Sequence, residues 1–512
     1  STLSPSSAAS DVYKRQGYTN FSKDGFSKDN FTKINFVKTG GRNMCDKFIG
    51  RKNELKSLET AYSKNSFQMC IVYGRRRIGK TTLINEFIRG KEHIAFTAIK
   101  GSAERNIELF GEVVVDYFMP GINGVRFTDI KDILNFITNN IGDKKLVLVI
   151  DELPYLAEAD KEFLSLLQVE IDKNWLNKNI FLILSGSSIS FMEQEVLSSK
   201  SPIYGRRTMQ IDLKPFNYLE TALFVPDYSC EEKAICYGIT GGVAKYISMF
   251  DSDKSLDDNI ADLYFNPSGF MYEEPRNLLV QEFRNAPVYD DVVSAIANGA
   301  NKAVEIKDKT NLESASVHNI LQHLLETRII EKTYAITEEN NKKKVMYSLS
   351  DGMFMFWHKF IPRAVAAIEI DNGKQYYLSQ VKPKLHEYMG EIFEKMCRQY
   401  LLMNAFSNKF SCTVLQAGKW FGTNPAKKEQ TDIDVVGLDT TENKAILGEC
   451  KFRNTPMDKK QLEELMDRDG LIDKRYKVAE YHLYSLSGFT DWVKENAVAL
   501  NVRLIPIEDM YN

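Results

Sequence analysis

Three short runs of almost unbroken apolar residues mark the first half of the chain: FQMCIVYG at 67–74, LVLVI at 146–150 and IFLILSGSS at 180–188. A strand covered on one side alternates apolar and polar residues. An unbroken run predicts a strand buried on both faces, as in a parallel sheet between helices. The first run leads through a glycine-bearing turn into LINEFIRG, which has helical spacing and stops at Gly90. Further along, VYDDVVSAIANG (288–299), KAVEIKDKT (302–310) and SASVHNILQHLLETRII (314–330) carry helical periods. The last sets Val317, Ile320, Leu321 and Leu324 along one face. EKTYAI and KKVMYSLS, on either side of EENNKKK, read as a hairpin. Three helices and a hairpin predict a winged helix, with Lys342, Lys343 and Lys344 at the wing tip placed to meet phosphates. An aromatic segment, SDGMFMFWHKFI (350–361), precedes the amphipathic HEYMGEIFEKMCRQYLL (386–402). CTVLQAGKWFG, TDIDVVGL, AILGECKF and YHLYSLSGF then alternate with polar turns and a helical region at 458–470, which predicts a second α/β unit.

Composition narrows the classes. The chain has 512 residues, too many for one ordinary core, with 43% apolar and 26% charged residues. The net charge of −3 supplies no overall basic field, so contact with nucleic acid must come from a local patch. No run has the length to span a bilayer and no signal-peptide core is present. A cytoplasmic setting without a membrane partner is therefore expected. Seven cysteines without a CxxC pair are expected as reduced thiols. The first residues stand apart: SSAASDVYKRQ (6–16) resembles a translated sequencing adapter, an imperfect repeat follows, and GGRNM precedes Met44, the expected start. Residues 1–43 are set aside as a leader outside the fold.

The turn after the first apolar run reads GRRRIGKTT. Strand, GxxxxGK[ST] and helix together are the context of a Walker A loop. Its glycines, Gly74 and Gly79, let the backbone wrap phosphates, and Arg75, Arg76, Arg77, Ile78 and Thr82 complete the wall. Lys80 is expected on the β- and γ-phosphates of ATP, and the Thr81 hydroxyl on Mg²⁺. The second run ends in Asp151-Glu152. At the C-terminal end of a strand, Asp151 can hold the Mg²⁺ shell and Glu152 can orient the attacking water. The third ends in small polar residues, of which Ser185 or Ser187 is placed to contact the γ-phosphate or the water.

FIGRKNEL (48–55), the Walker A loop, LVLVIDELPYL, ILSGSSISFM and SPIYGRRT (201–208) together resemble the archaeal-type AAA+-related ATPases, close to the signal-transducing ATPases with numerous domains. The resemblance implies an α/β sandwich followed by a helical lid. It places Gly50 and Arg51 near the adenine and lets Arg206, with Arg207 as a rival, sense or complete the nucleotide site, within one chain or across a homo-oligomer. GITGGVAKYI (238–247) matches the lid segment, with Ala244 where that group has proline.

The last third carries different chemistry. Side chains alternate along a strand, so Asp432 and Asp434 share one face, as do Glu449 and Lys451 on the next strand. Buried charges need partners or a metal. Asp on one strand and Glu-x-Lys on its neighbour form the D…ExK constellation of restriction-endonuclease-like nucleases, with Asp434 and Glu449 as ligands for Mg²⁺ or Mn²⁺ and Lys451 beside the reacting phosphate. The segment as a whole resembles the C-terminal domain of unknown function that follows archaeal-type ATPases, through MGEIFE, GKWFGTNP, DIDVVG, GECKF and SGFT. That resemblance implies Glu394 as an accessory acid, although this chain has Asp432-Ile433-Asp434 where Glu-x-Asp is usual.

The fold class expected is α/β: a P-loop NTPase sheet at 44–212, a helical lid at 213–280, a winged helix at 281–350, a connector at 351–380 and a restriction-endonuclease-like domain at 381–512. The function expected is ATP hydrolysis coupled to a Mg²⁺-dependent nuclease-like domain acting on nucleic acid, DNA foremost. The alternative is an ATP-dependent switch or a DNA-binding regulator with a silent nuclease-like domain.

Overall fold

The computed structural model describes residues 48–122, 124–338 and 345–512. The expected leader and the basic tip at Lys342, Lys343 and Lys344 lie outside them. Strand β1 (Gln68–Tyr73) is buried along its whole length and leads into helix α1 (Lys80–Ile88). Strands β2 (His93–Thr97), β3 (Leu146–Asp151), β4 (Ile180–Gly186) and β5 (Met209–Asp212) complete a five-stranded sheet ordered β2-β3-β4-β1-β5, with every neighbouring pair parallel. The unbroken apolar runs have a direct cause. Met69, Ile71, Leu148, Ile150 and Leu182 enter the core on one face, while Cys70, Val72, Val147, Val149 and Ile183 enter the core on the other. Neither β2 nor β5 is apparent in the sequence: β2 alternates exposed and buried positions and β5 has only four residues.

Beyond the sheet come α2 (Cys230–Thr240), α3 (Phe270–Glu282), α4 (Ala286–Ala297), α5 (Ala303–Thr310) and α6 (Ser314–Glu326). An antiparallel pair follows, β6 (Ile330–Tyr334) and β7 (Val345–Leu349), in register from Ile330↔Leu349 to Tyr334↔Val345. The helix expected to reach Ile330 stops at Glu326, where Arg328 takes up a left-handed backbone (φ 57°). Ala335 and Ile336, expected in the hairpin, pack instead on the last sheet, and the Ile336 amide donates to the Lys419 carbonyl at 2.9 Å.

The aromatic segment becomes α7 (Gly352–Glu369), capped by Asp351, whose carboxylate accepts from the Met353 amide. Helix α8 (Leu385–Met403) leads to β8 (Gln416–Asn424), β9 (Glu429–Asp439), β10 (Lys444–Lys451), α9 (Lys459–Met466), β11 (Lys477–Ser485) and β12 (Val502–Pro506). These strands form a sheet ordered β12-β11-β10-β9-β8, antiparallel across β8, β9 and β10 and parallel across β10, β11 and β12. Strand β12 had no signal in the apolar pattern. One continuous core runs from Phe216 through α2, α7 and α8 to Met510. Gly352 permits a close backbone approach there, since a Cβ would stand 2.0 Å from the Gly238 carbonyl oxygen.

Candidate functional site

The parallel sheet brings Gly74, Asp151 and Ser187 to one edge, because each follows or ends a strand aligned with its neighbours. The loop there needs left-handed turns at Arg77 (φ 68°) and Gly79 (φ 95°), and the second leads directly into α1. The buried Lys80 ammonium donates to the Gly74 and Arg75 carbonyls at 3.0 and 3.1 Å. Burial lowers its pKa, opposed by the carboxylates of Glu152 and Asp151. The Thr81 hydroxyl donates to Asp151 Oδ2 at 2.7 Å, and the other Asp151 oxygen accepts from the Glu152 amide. Glu152 is left-handed (φ 52°), and its carboxylate accepts from the Ser187 hydroxyl at 2.7 Å. Of the two candidate serines, Ser187 therefore faces Glu152, while Ser185 is fully buried.

This donor set fits a nucleoside triphosphate with magnesium. An ammonium at the loop's mouth holds only carbonyl oxygens, and a hydroxyl–carboxylate pair stands beside it. Ile78 is buried, and its carbonyl accepts from the Arg51 guanidinium at 3.2 Å; Thr82 follows on the exposed side of α1. Arg51 also bonds the Lys214 carbonyl at 2.7 Å and stacks 3.9 Å over Phe216, the ring a Cβ on Gly50 would strike. Gly50 and Arg51 thus hold the loop in place from behind. Arg75, Arg76 and Arg77 are each paired with an acid from a later helix or its cap, and Arg75 and Arg76 line a small pocket with Ser187. Arg75 pairs with the buried Asp351 at 2.5 Å, Arg76 with Glu282 at 2.8 Å, and Arg77 lies against Glu274.

Arg206 is not brought to this edge. It makes a two-pronged pair with Asp172, at 2.9 and 2.6 Å. Two residues on, the Thr208 amide bonds the Met69 carbonyl at the start of β1, so Arg206 lies at the opposite edge of the sheet, about 17 Å from the loop by strand rise.

The second centre forms where β9, β10 and α8 meet. The Glu449 carboxylate is shared between Lys451 and Arg468, each at 2.6 Å. Asp434, on the neighbouring strand, accepts from the Cys450 amide at 3.1 Å. Glu394 reaches in from α8 and meets Arg398 at 3.4 Å. Lys419 of β8 stands between three acids, 3.0 Å from Glu394, 2.8 Å from Asp432 and 4.0 Å from Asp434. Burial, then the charges of Glu449 and Glu394, push the Asp434 carboxyl up to about 7 against the pull of Lys451 and Lys419. Burial works against the Lys451 ammonium, but Glu449 and Asp434 outweigh it and hold its pKa above the ordinary value.

Among the described residues no three His, Cys, Asp or Glu side chains form a ready-made metal cage. The carboxylates suit a hard divalent cation in kind, and the Lys419 ammonium held among three of them marks where positive charge settles.

The front of the chain, which carries the Lys80, Thr81 and Asp151 cluster, is similar to a known family. Residues 48–250 match the family model of an ATPase domain predominantly from Archaea. Residues 357–465 of the same chain match a family of archaeal and bacterial proteins of unknown function. An uncharacterized protein of Methanocaldococcus jannaschii is 29% identical over 453 residues, 88% of this chain and 95% of that protein. Among solved structures, the Walker-type ATPase of Pyrococcus abyssi aligns at 19% identity and a TM-score of 0.46, covering 61% of this chain and 96% of that one. The ORC2 protein of Aeropyrum pernix, solved with ADPNP and ADP, aligns at 15% identity and 0.43, covering 68% and 98%.

The ATPase domain's arginine partners Asp351, Glu274 and Glu282 were missed in the sequence, as were Lys419 and Arg468 in the second centre. Lys419 alone had a signal, as the one charge in the apolar run AGKWFG.

Proposed function

We propose that this chain hydrolyses ATP at its P-loop and couples nucleotide state, through a winged helix built from α4, α5, α6 and the β6–β7 hairpin, to a Mg²⁺-dependent nuclease-like domain that acts on DNA. The observation that carries the second half is the convergence of Asp434, Glu449, Lys451 and Glu394 from a paired two-strand unit and the helix that precedes it. At the P-loop, Lys80 exchanges its carbonyl partners for phosphate oxygens, Thr81 and Asp151 hold the magnesium shell, and Glu152, steadied by Ser187, orients water.

In the second centre, Asp434 and Glu449 hold the metal, which when bound polarises the phosphate and acidifies a water. Lys451 is kept charged by Glu449 and faces the same space, placed to meet charge developing on the phosphate. Arg468 fixes the other Glu449 oxygen and so the rotamer of the ligand. Arg206, half-buried at the far edge of the sheet and paired with Asp172, could serve only a neighbouring copy and only by leaving that pair, which makes a homo-oligomer part of this reading. The six described cysteines are all free, in keeping with a reducing cytoplasm. Among the described residues no helix is long and apolar enough to cross a membrane.

The alternative, a switch with a silent nuclease-like domain, draws on one observation: each acid of the second centre already has a cation of the protein's own beside it.

The test is cleavage of plasmid and single-stranded DNA with Mg²⁺ or Mn²⁺, with and without ATP, by the chain from Met44. Wild type is expected to cut, and Asp434→Ala and Lys451→Ala to lose roughly 100-fold or more. Lys80→Ala should abolish ATP turnover. Full turnover without cutting under any condition would leave the switch.

A further inference from the structure

On its Glu394 side the second centre adjoins a cleft of about 600 Å³ walled by the β6–β7 hairpin, the C-terminal end of α4, α7 and α8. Lys359 and Arg363 of α7, Lys395 and Arg398 of α8, and Lys419 of β8 line it, against the carboxylates Glu387, Glu391 and Glu394. Glu331 and Asp432 hold Lys395 and Lys419 from behind, so the positive bias is local, at Lys359 and Arg363 on the α7 wall. Low-dielectric walls focus such a bias onto anions entering the cleft.

The cations are not equivalent. Arg398, Lys419 and Lys395 are tied to acids at 3.4, 2.8 and 2.7 Å, and Lys359 approaches Glu387 only at 3.7 Å. Arg363 is exposed and has no ion-pair partner among the described residues. On the hairpin wall, Tyr347 is half-buried, its amide fixed to the Asn301 carbonyl at 2.7 Å, and Lys332 lies 5.7 Å over its ring. An aromatic face beside cations is what stacks a base while the cations hold the adjoining phosphates. The volume suits a ligand of about two nucleotides, within the roughly 300–1,000 Å³ of ordinary ligand sites. A duplex does not fit it.

We propose that this cleft is the path of a single strand of nucleic acid, with phosphates on Lys359 and Arg363, a base on Tyr347, and the backbone led to Glu394 and Lys419 at the rim of the second centre. The inference rests on the nuclease-type reading of that centre for what happens at the end of the path, but not for the binding itself. The hairpin then acts as one wall of the substrate channel.

The experiment is anisotropy of a fluorescent 12-nucleotide oligothymidylate with the full chain from Met44, in EDTA so that nothing is cut. Arg363→Glu is expected to weaken binding about tenfold and to flatten its dependence on salt. Tyr347→Ala should weaken it about tenfold as well, the scale of one lost base stack. Lys56→Glu, a charge reversal on the exposed helix Lys52–Tyr62, should leave binding unchanged. Equal affinities for wild type and Arg363→Glu would overturn the proposal. So would competition by thymidine monophosphate at the strand's own concentration, which would make the cleft a small-ligand pocket. Preferred binding of a blunt duplex would overturn it too. Binding that falls in both cleft variants but survives in Lys451→Ala, with no cutting by wild type, would establish the path and sink the nuclease reading. Cutting that is indifferent to Arg363→Glu would do the reverse.

Discussion

His358 has its imidazole inside α7, stacked on Phe354 and beside Trp357, with Asp290 3.4 Å from Nε2. Burial, and secondarily the charge of Arg276, push its pKa down to about 4. The unfolded chain therefore binds the proton first as pH falls. The group's stability is fully present above about 6.5 and drains away as pH falls toward 4, a loss of about 2 kcal/mol by pH 5. Burial also raises the Asp290 carboxyl, which acts in the opposite direction, so a comparison that keeps Asp290 is needed. Urea midpoints at pH 7.5 and 5 should fall with pH in wild type and less in His358→Phe; equal falls would refute the assignment. At this scale the sequence is legible where a motif fixes backbone and side chain together, as in Gly79-Lys80-Thr81. It is illegible where a charge chooses a distant partner. Nothing near Arg75 in sequence announces Asp351, 276 positions on.

At the scale of elements, the P-loop is tied to helices that come long after it. Arg76 and Arg77 meet α3 through Glu282 and Glu274, and Arg75 meets the cap of α7. Asp351 does two jobs: one oxygen pairs with Arg75 and the other caps α7 at the Met353 amide. Asp351→Asn keeps the cap and removes the charge, leaving a buried guanidinium unpaired. A loss of about 3–5 kcal/mol in unfolding free energy is expected. Arg75→Met in the same chain should return at least about 1 kcal/mol of that, because residues sharing one buried pair are not additive. Additive losses in urea unfolding would show that the contact couples nothing. Strands β1, β3 and β4 of the first sheet were readable because both faces are apolar. Strand β12 and the β6 boundary were not, since Arg503 interrupts the one and the other is set by a hydrogen bond to β8.

On the scale of the whole molecule, the ATPase domain and the second centre are joined by packed structure. The Tyr388 hydroxyl of α8 bonds the carbonyls of Gly238 in α2 and Gly352 in α7, at 3.0 and 3.1 Å. Gln399, also on α8, bonds the Tyr237 hydroxyl at 2.9 Å. Glu394 sits on the same helix between these contacts, so a shift of α2 or α7 moves a carboxylate of the second centre. Packed cores of this kind change between discrete arrangements and do not stretch. Hydrogen exchange should therefore slow on binding a non-hydrolysable ATP analogue at the loop, 74–82, and also along α7 and α8. The same experiment on Asp351→Asn should keep the first effect and weaken the second. Protection confined to residues 48–250 in wild type would mean that the contacts carry stability alone and that the two centres work independently.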